Sequence, residues 1–400
     1  MAAAMTADSG RVWGILLLFV CSSSQSLFNG GDSYKRELTV KLYPNTSSPP
    51  PGGELLHVRA VGGNDTLHFL FCSQGAPTLL VVHTDSPSSI VEVNWPQFVA
   101  RNTSGSLRVE PQSSILYSTA VVFSRLLEYD DENNTAEGTS NFFPPYELQD
   151  FSWSPMNLSK PTAVICGSAP HAINGSLCFQ LTVFGSEGRP ELWPRLLHSP
   201  NSSQVEVWLD GLLPRSNTSR FVLELQAVGG AFPLSKVDVR QFIDDEYTPS
   251  IFKVSQWVSS ANNGSDILGF VQWKPVAYRR PRPALEDATP CRHSEPQPWT
   301  GNKTTDSSAL IKAFYSDPRA VGMNVSFGIA GEPFYNSTMF LSWTMLVGVG
   351  SPPVDSFSPL VIGIMAAGLG IPFVLLLVGG VCVFIMKRRD TSDAAYQPIN

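Results

Sequence analysis

Twelve asparagines sit two positions ahead of a serine or threonine with no proline between, the pattern that accepts an N-linked oligosaccharide on a translocated chain. They are Asn45, Asn64, Asn102, Asn133, Asn157, Asn174, Asn201, Asn217, Asn263, Asn302, Asn324 and Asn336. Chance pairing in a chain with 18 asparagines, where roughly one residue in six is Ser or Thr, gives about three such sites. The excess, all between two apolar segments, predicts a heavily glycosylated surface.

Thiol chemistry is the second candidate. Of six cysteines, Cys21 falls within the N-terminal segment read below as a signal and Cys382 in the C-terminal apolar run. Cys72, Cys166, Cys178 and Cys291 remain, an even number that suits two disulfides in an oxidising compartment, with three pairings open. Cys166 and Cys178 flank the turn-like stretch 167–175. A bridge across that hairpin would leave Cys72 with Cys291. Four cysteines are too few for a disulfide scaffold, so a hydrophobic core must carry the fold.

Catalytic and metal-binding patterns are not found. There is no G-x-S-x-G elbow, no H-E-x-x-H and no phosphate-binding glycine loop. The six histidines are scattered singly, and one on a strand, such as His68, reads as structural. Acidic clusters occur at 130–132 and 244–246; the first abuts the sequon at Asn133 and reads as a solvated loop. Arg279, Arg280 and Arg282 read as a surface loop. Net charge is −7 with no basic domain, which argues against nucleic-acid binding.

The apolar run Val12–Val20 is too short to span a bilayer and is followed by small residues, which predicts a signal peptide over 1–26. The second run, Leu360–Met386, holds no charged residue and is closed by Lys387, Arg388 and Arg389. The basic side faces the cytosol, so a single-pass type I topology is expected. Within the span Gly363 and Ala367 lie four apart, as do Ala366 and Gly370, a spacing that lets helices approach closely in lipid. That face would seat a polytopic partner or a second copy in a homodimer. The tail carries Tyr396 and, three residues on, Ile399, two anchors for a clathrin-adaptor groove.

What positions the sequons is read as sheet. Val205, Val207 and Leu209 alternate with Gln204, Glu206 and Trp208; Phe221, Leu223 and Leu225, and Leu341, Trp343 and Met345, repeat the pattern. Only 114–129 reads equally as helix or long strand. With 31 Gly and 32 Pro as punctuation, the expected class is mainly β. The expected architecture is two β-sandwich-like modules at 27–185 and 204–356, joined by a Gly/Pro-rich linker at 186–203. A transmembrane helix at 357–386 and a cytosolic tail at 387–400 follow.

The sequon-studded body around NWPQF (94–98) and FSWSPMN (151–157), with the terminal AYQPIN (395–400), resembles the glycosylated lysosomal membrane protein family across the whole chain. The resemblance implies an accessory subunit of a lysosomal major-facilitator-superfamily transporter that shields an unglycosylated partner from proteases. From the motif search, no cofactor, metal or catalytic residue is expected. Two other classes compete. A cell-surface or endosomal receptor or adhesion protein would differ in steady-state location. A lysosomal glycan-processing enzyme would show a cleft with two carboxylates about 5–10 Å apart.

Overall fold

On β13 (Ser202–Asp210), Val205, Val207 and Leu209 are buried while Gln204, Glu206 and Trp208 are half-buried, so the period of two turns one face inward. The computed structural model describes residues 34–44, 54–100, 105–138, 141–170, 174–191, 193–244, 250–261, 266–299, 307–354 and 359–393. Most of them outside the C-terminal helix form two facing antiparallel sheets.

The first sheet runs β1 (Glu37–Tyr43), β2 (Leu55–Val61), β3 (Thr66–Cys72), β4 (Thr78–Thr84), β7 (Ile115–Asp130), β14 (Ser219–Gly229) and β21 (Arg319–Phe327). β8 (Tyr146–Glu147) adds to β7, while β19 (Ala288–His293) and β20 (Gln297–Pro298) add to β21. The second runs β10 (Asn157–Ser159), β11 (Thr162–Ser168), β12 (Ser176–Val183), β13, β22 (Phe340–Val349), β17 (Ile267–Trp273) and β16 (Ser250–Ser260). β9 (Ser152–Trp153) pairs with β11. β18 (Val276–Tyr278) pairs with β22 on one side and β19 on the other, stitching the two sheets at one edge. β15 (Lys236–Asp244) follows β14.

Between the sheets lies one core. Phe69, Phe123, Leu223 and Leu225 of the first meet Phe179, Val205, Trp257, Trp273 and Trp343 of the second, each almost wholly buried. A second cluster lies on the outer face of the first sheet. There the ribbon β5 (Ile90–Val93) and β6 (Leu107–Glu110) packs with α1 (Trp95–Val99) and α2 (Ala309–Phe314) against Leu70, Leu80, Val82 and Val122. Central strands are thus covered on both faces, and all eleven residues of β14 are buried.

The segment 186–203 does not separate the chain into modules. β12, before it, pairs along its length with β13, after it, and β7 pairs with β14 in the other sheet. Residues 33–242 and 251–354 form one compact unit. The Gly/Pro-rich stretch is a strap: His198 stacks on Phe184 with ring centroids 3.5 Å apart, and Leu196 packs on Val258, Phe270 and Leu346. Its composition reflects an irregular path over a sheet face. The segment 114–129 resolves as strand: β7 continues for 16 residues.

Cys166 and Cys178 face each other across β11 and β12 and form a disulfide. The expected Cys72–Cys291 bridge is not formed. Cys72 packs in the outer cluster with Leu55 and Leu80, whereas Cys291 lies in the intersheet core. Both are buried thiols, and burial pushes the Cys291 thiol far up.

The C-terminal helix, α3 (Pro359–Asp393), carries an apolar stretch, Gly363–Arg388, of 26 residues. At 1.5 Å per residue it extends about 39 Å, enough for a bilayer core of about 30 Å with tilt.

Candidate glycan-bearing surface

Eight of the sequons lie among the described residues. Asn64, Asn133, Asn157, Asn174, Asn217 and Asn336 are exposed; Asn201 and Asn324 are half-buried. Asn45, Asn102, Asn263 and Asn302 lie outside the described residues, as do Tyr396, Ile399 and the expected signal peptide.

Four exposed acceptors share one end of the sandwich. Asn133 follows β7, Asn217 precedes β14, Asn174 sits in the β11–β12 hairpin, and Asn336 precedes β22. Register explains the convergence: Ser219 pairs with Asp130, Ser176 with Asp210, and Asp210 with Phe340. Gly175 has φ +90°, and a Cβ there would come within 2.2 Å of the Leu212 backbone nitrogen, so only glycine seats the hairpin on the β13–β14 turn.

Buried charge braces this end. Arg220 donates from Nε to Asp131 at 2.6 Å, and from its terminal nitrogen to Asn134 Oδ1 at 2.6 Å and the Glu332 carbonyl at 3.2 Å. Asp131 also accepts the backbone N–H groups of Thr135 and Ala136, both at 2.9 Å. Burial alone would raise the Asp131 carboxyl; the Arg220 bond and those two N–H groups reverse this and hold it below its usual range. Glu128, wholly buried, accepts Ser219 Oγ and the Arg215 N–H, each at 2.6 Å, and Thr218 binds Asp130. The cluster at 130–132 is therefore not the solvated loop its sequence suggested. Asp131 is a buried brace, and only Glu132 is exposed. Asp244 ends β15, and Glu246 lies outside the described residues.

At the opposite end Arg36 ties the segments together. It grips Asp65 in a bidentate pair at 2.9 and 2.6 Å, next to the Asn64 sequon, and donates to Asn201 Oδ1 at 2.9 Å. Asn201 is thereby half-buried against β22, whose Val349 N–H it accepts at 3.1 Å. Asn324 lies in β21 opposite Glu224, bonded through its backbone to Ser294. Asn157 lies on the short strand β10 at the margin of the second sheet, where a glycan would block strand addition.

The buried histidines His57, His68 and His198 are structural. His57 Nε2 and His68 Nδ1 are 3.0 Å apart, and His68 Nε2 lies 2.8 Å from Ser89 Oγ. Burial, then the neighbouring His68, lowers His57 to about 3; burial, then Arg59, lowers His68 to about 4. His198 is lowered to about 4, chiefly by the burial of the strap against the sheet. Nothing in their scattered spacing signalled the His57–His68 contact, which is diagonal across the β2–β3 hairpin.

On α3, Gly363, Ala366, Ala367 and Gly370 fall within an arc of about 100° at 3.6 residues per turn. Pro372 lies on the opposite side.

Together these features define a β-sandwich glycoprotein carried on a single apolar helix. The family model for glycosylated lysosomal membrane protein matches residues 54–390. A zebrafish (Danio rerio) relative of that name is 52% identical, covering 96% of this chain and 97% of its own. A Xenopus laevis relative, named glycosylated lysosomal membrane protein A, is 38% identical over 98% of this chain and 99% of its own. A human relative is 38% identical over 91% of each. The chain belongs to the glycosylated lysosomal membrane protein family. It is a single-pass type I protein of the lysosomal membrane, with its sheet-rich bulk in the lumen.

Proposed function

We propose that this chain is a non-catalytic accessory subunit that binds a polytopic transporter of the major-facilitator class in the lysosomal membrane and shields it from proteolysis. The observation that carries this reading is the spread of exposed sequons over both ends and a margin of one compact unit. Glycans so placed obstruct proteases sterically from several directions. The carboxylates Glu128, Asp130 and Asp131 at the sequon-rich end are engaged by Ser219, Thr218 and Arg220, which favours bracing over acid–base chemistry there. The Gly363–Gly370 face is the seat for the partner's helices, and a second copy of this chain is its competitor for that seat. Tyr396 and Ile399 supply the adaptor anchors that deliver the complex.

Proteolysis tracks how often a cleavable segment is accessible. Loss of this chain should therefore shorten the half-life of the transporter while leaving its messenger RNA unchanged, and protease inhibition should restore it. Stoichiometric co-purification in mild detergent identifies the partner. Equal transporter half-lives with and without this chain would refute the shielding role.

A further inference from the structure

The outward face of the second sheet carries polar and aromatic groups that the fold leaves without partners. Glu206 and Trp208 of β13 and Gln180 of β12 point outward, since the residues between them, Val205, Val207, Phe179 and Leu181, fill the core. All three are half-buried. Among the described residues none makes a side-chain hydrogen bond, ion pair or ring contact. Burial raises the Glu206 carboxyl above its usual range, with no cation beside it to reverse the effect. A desolvated, unpaired carboxylate is costly, and its natural partner is a neutral donor. Trp208 stands directly opposite Cys178, whose disulfide to Cys166 fixes the backbone around it.

An exposed glycan acceptor shares this face. Asn157 pairs with Val164, Val164 with Gln180, and Gln180 with Glu206, in one cross-strand row. Directly paired residues of antiparallel strands point to the same side. Leu158, between Asn157 and Ser159, turns inward against the core, which sets Asn157 outward. Three strand spacings separate Asn157 from Glu206, about 14 Å. That lies within reach of the first few sugars of a branched oligosaccharide.

We propose that the N-linked glycan of Asn157 lies across this sheet face, its hydroxyls bonded to Gln180 and Glu206 and a sugar ring stacked on Trp208. Sugars present neutral hydroxyl donors to a carboxylate and an apolar C–H face to an indole, and Val164 offers a C–H contact along the way. The proposal rests only on glycosylation in the functional reading above, not on the transporter partnership.

A glycan pressed onto protein is protected from processing enzymes. In the full-length protein from mammalian cells, site-resolved glycopeptide mass spectrometry should find Asn157 enriched in untrimmed oligomannose forms relative to Asn133 and Asn217. Trp208→Ala and, separately, Glu206→Ala should shift Asn157 towards the processed forms of those two sites. Release of the Asn157 glycan from native protein by endoglycosidase should accelerate roughly two- to tenfold, the range a single ring contact supplies. Gln180→Ala should act in the same direction, which keeps the test alive if Trp208→Ala folds poorly. An Asn157 glycan processed like the others in the parent protein, or unmoved by these substitutions, would overturn the proposal. So would an empty Asn157 beside occupied neighbours. Emptiness at most sites would instead sink the shield reading itself.

Discussion

The three lowered histidines make stability fall with acid in a way that can be worked out. An unfolded histidine titrates near 6.5, whereas His57 stands at about 3 and His68 and His198 at about 4 in the fold. Each folded pKa is depressed, so the unfolded chain binds more protons between those limits and stability rises with pH there. The favourable contribution is whole above about pH 6.5 and drains as the pH falls towards the folded values. At pH 5 His57 and His68 have each cost about 2 kcal/mol relative to neutral pH. The His57–His68 pair thus costs about 4 kcal/mol, and His198, which is less deeply covered, adds a smaller amount. These three histidines stay largely neutral in the native state at pH 5, so the cost falls through protonation of the unfolded chain. Glu206 runs the other way: its raised pKa gives stability present at low pH and lost as pH rises through the folded value. The assay is denaturant unfolding of the detergent-solubilised chain at a series of pH values, followed by fluorescence of the buried Trp257, Trp273 and Trp343. Between pH 6 and 5 unfolding should take up about two and a half protons, falling to just under about one in a His57→Gln/His68→Gln variant. A flat profile in the parent, or the same slope in the double variant, would refute the reasoning.

Thiol mapping should find one luminal disulfide, Cys166–Cys178, with Cys72 and Cys291 alkylated only after unfolding; a Cys72–Cys291 peptide would contradict the two-cluster packing. Trp343→Ala removes an indole that meets Trp273 and Phe327 in the core and should cost about 3–5 kcal/mol, read as a lowered denaturation midpoint. Tyr396→Ala should move the protein from lysosomes to the cell surface by surface biotinylation, and unchanged distribution in cells lacking the transporter would exclude the motif.

The sequence disclosed what one face of a strand or one local motif can carry. Val205, Val207 and Leu209 turned inward as their alternation required, and the Cys166–Cys178 hairpin closed as a local turn flanked by cysteines suggests. What depends on long-range register stayed hidden. β7 and β14 are about 100 residues apart and are covered on both faces, so Glu224 and Gln226 of β14 alternate with core residues yet are buried themselves. Periodicity marks them as solvent-facing; the outer layer of β5, β6, α1 and α2 that covers part of this sheet cannot be read from the strands beneath it. The 186–203 strap misled for a related reason. Gly and Pro report an irregular backbone, and an irregular path over a surface has the same composition as a tether between domains.

That same long-range pairing explains why sequons scattered from 133 to 336 can act together. Antiparallel register brings the end of β7 and the starts of β12, β14 and β22 to one end of the sandwich, and Arg220 binds the loops after β7 and β21 into one brace through Asp131, Asn134 and Glu332. Flexible tethers would let the four acceptors drift apart; a buried ion pair does not. Breaking such a pair leaves an uncompensated charge, so the brace is costly to loosen, and its lowered Asp131 carboxyl keeps it ionised in acid. For the shielding role proposed above, the acceptors would have to stay at fixed places relative to one another. The buried charge at this end of the sandwich supplies that fixity.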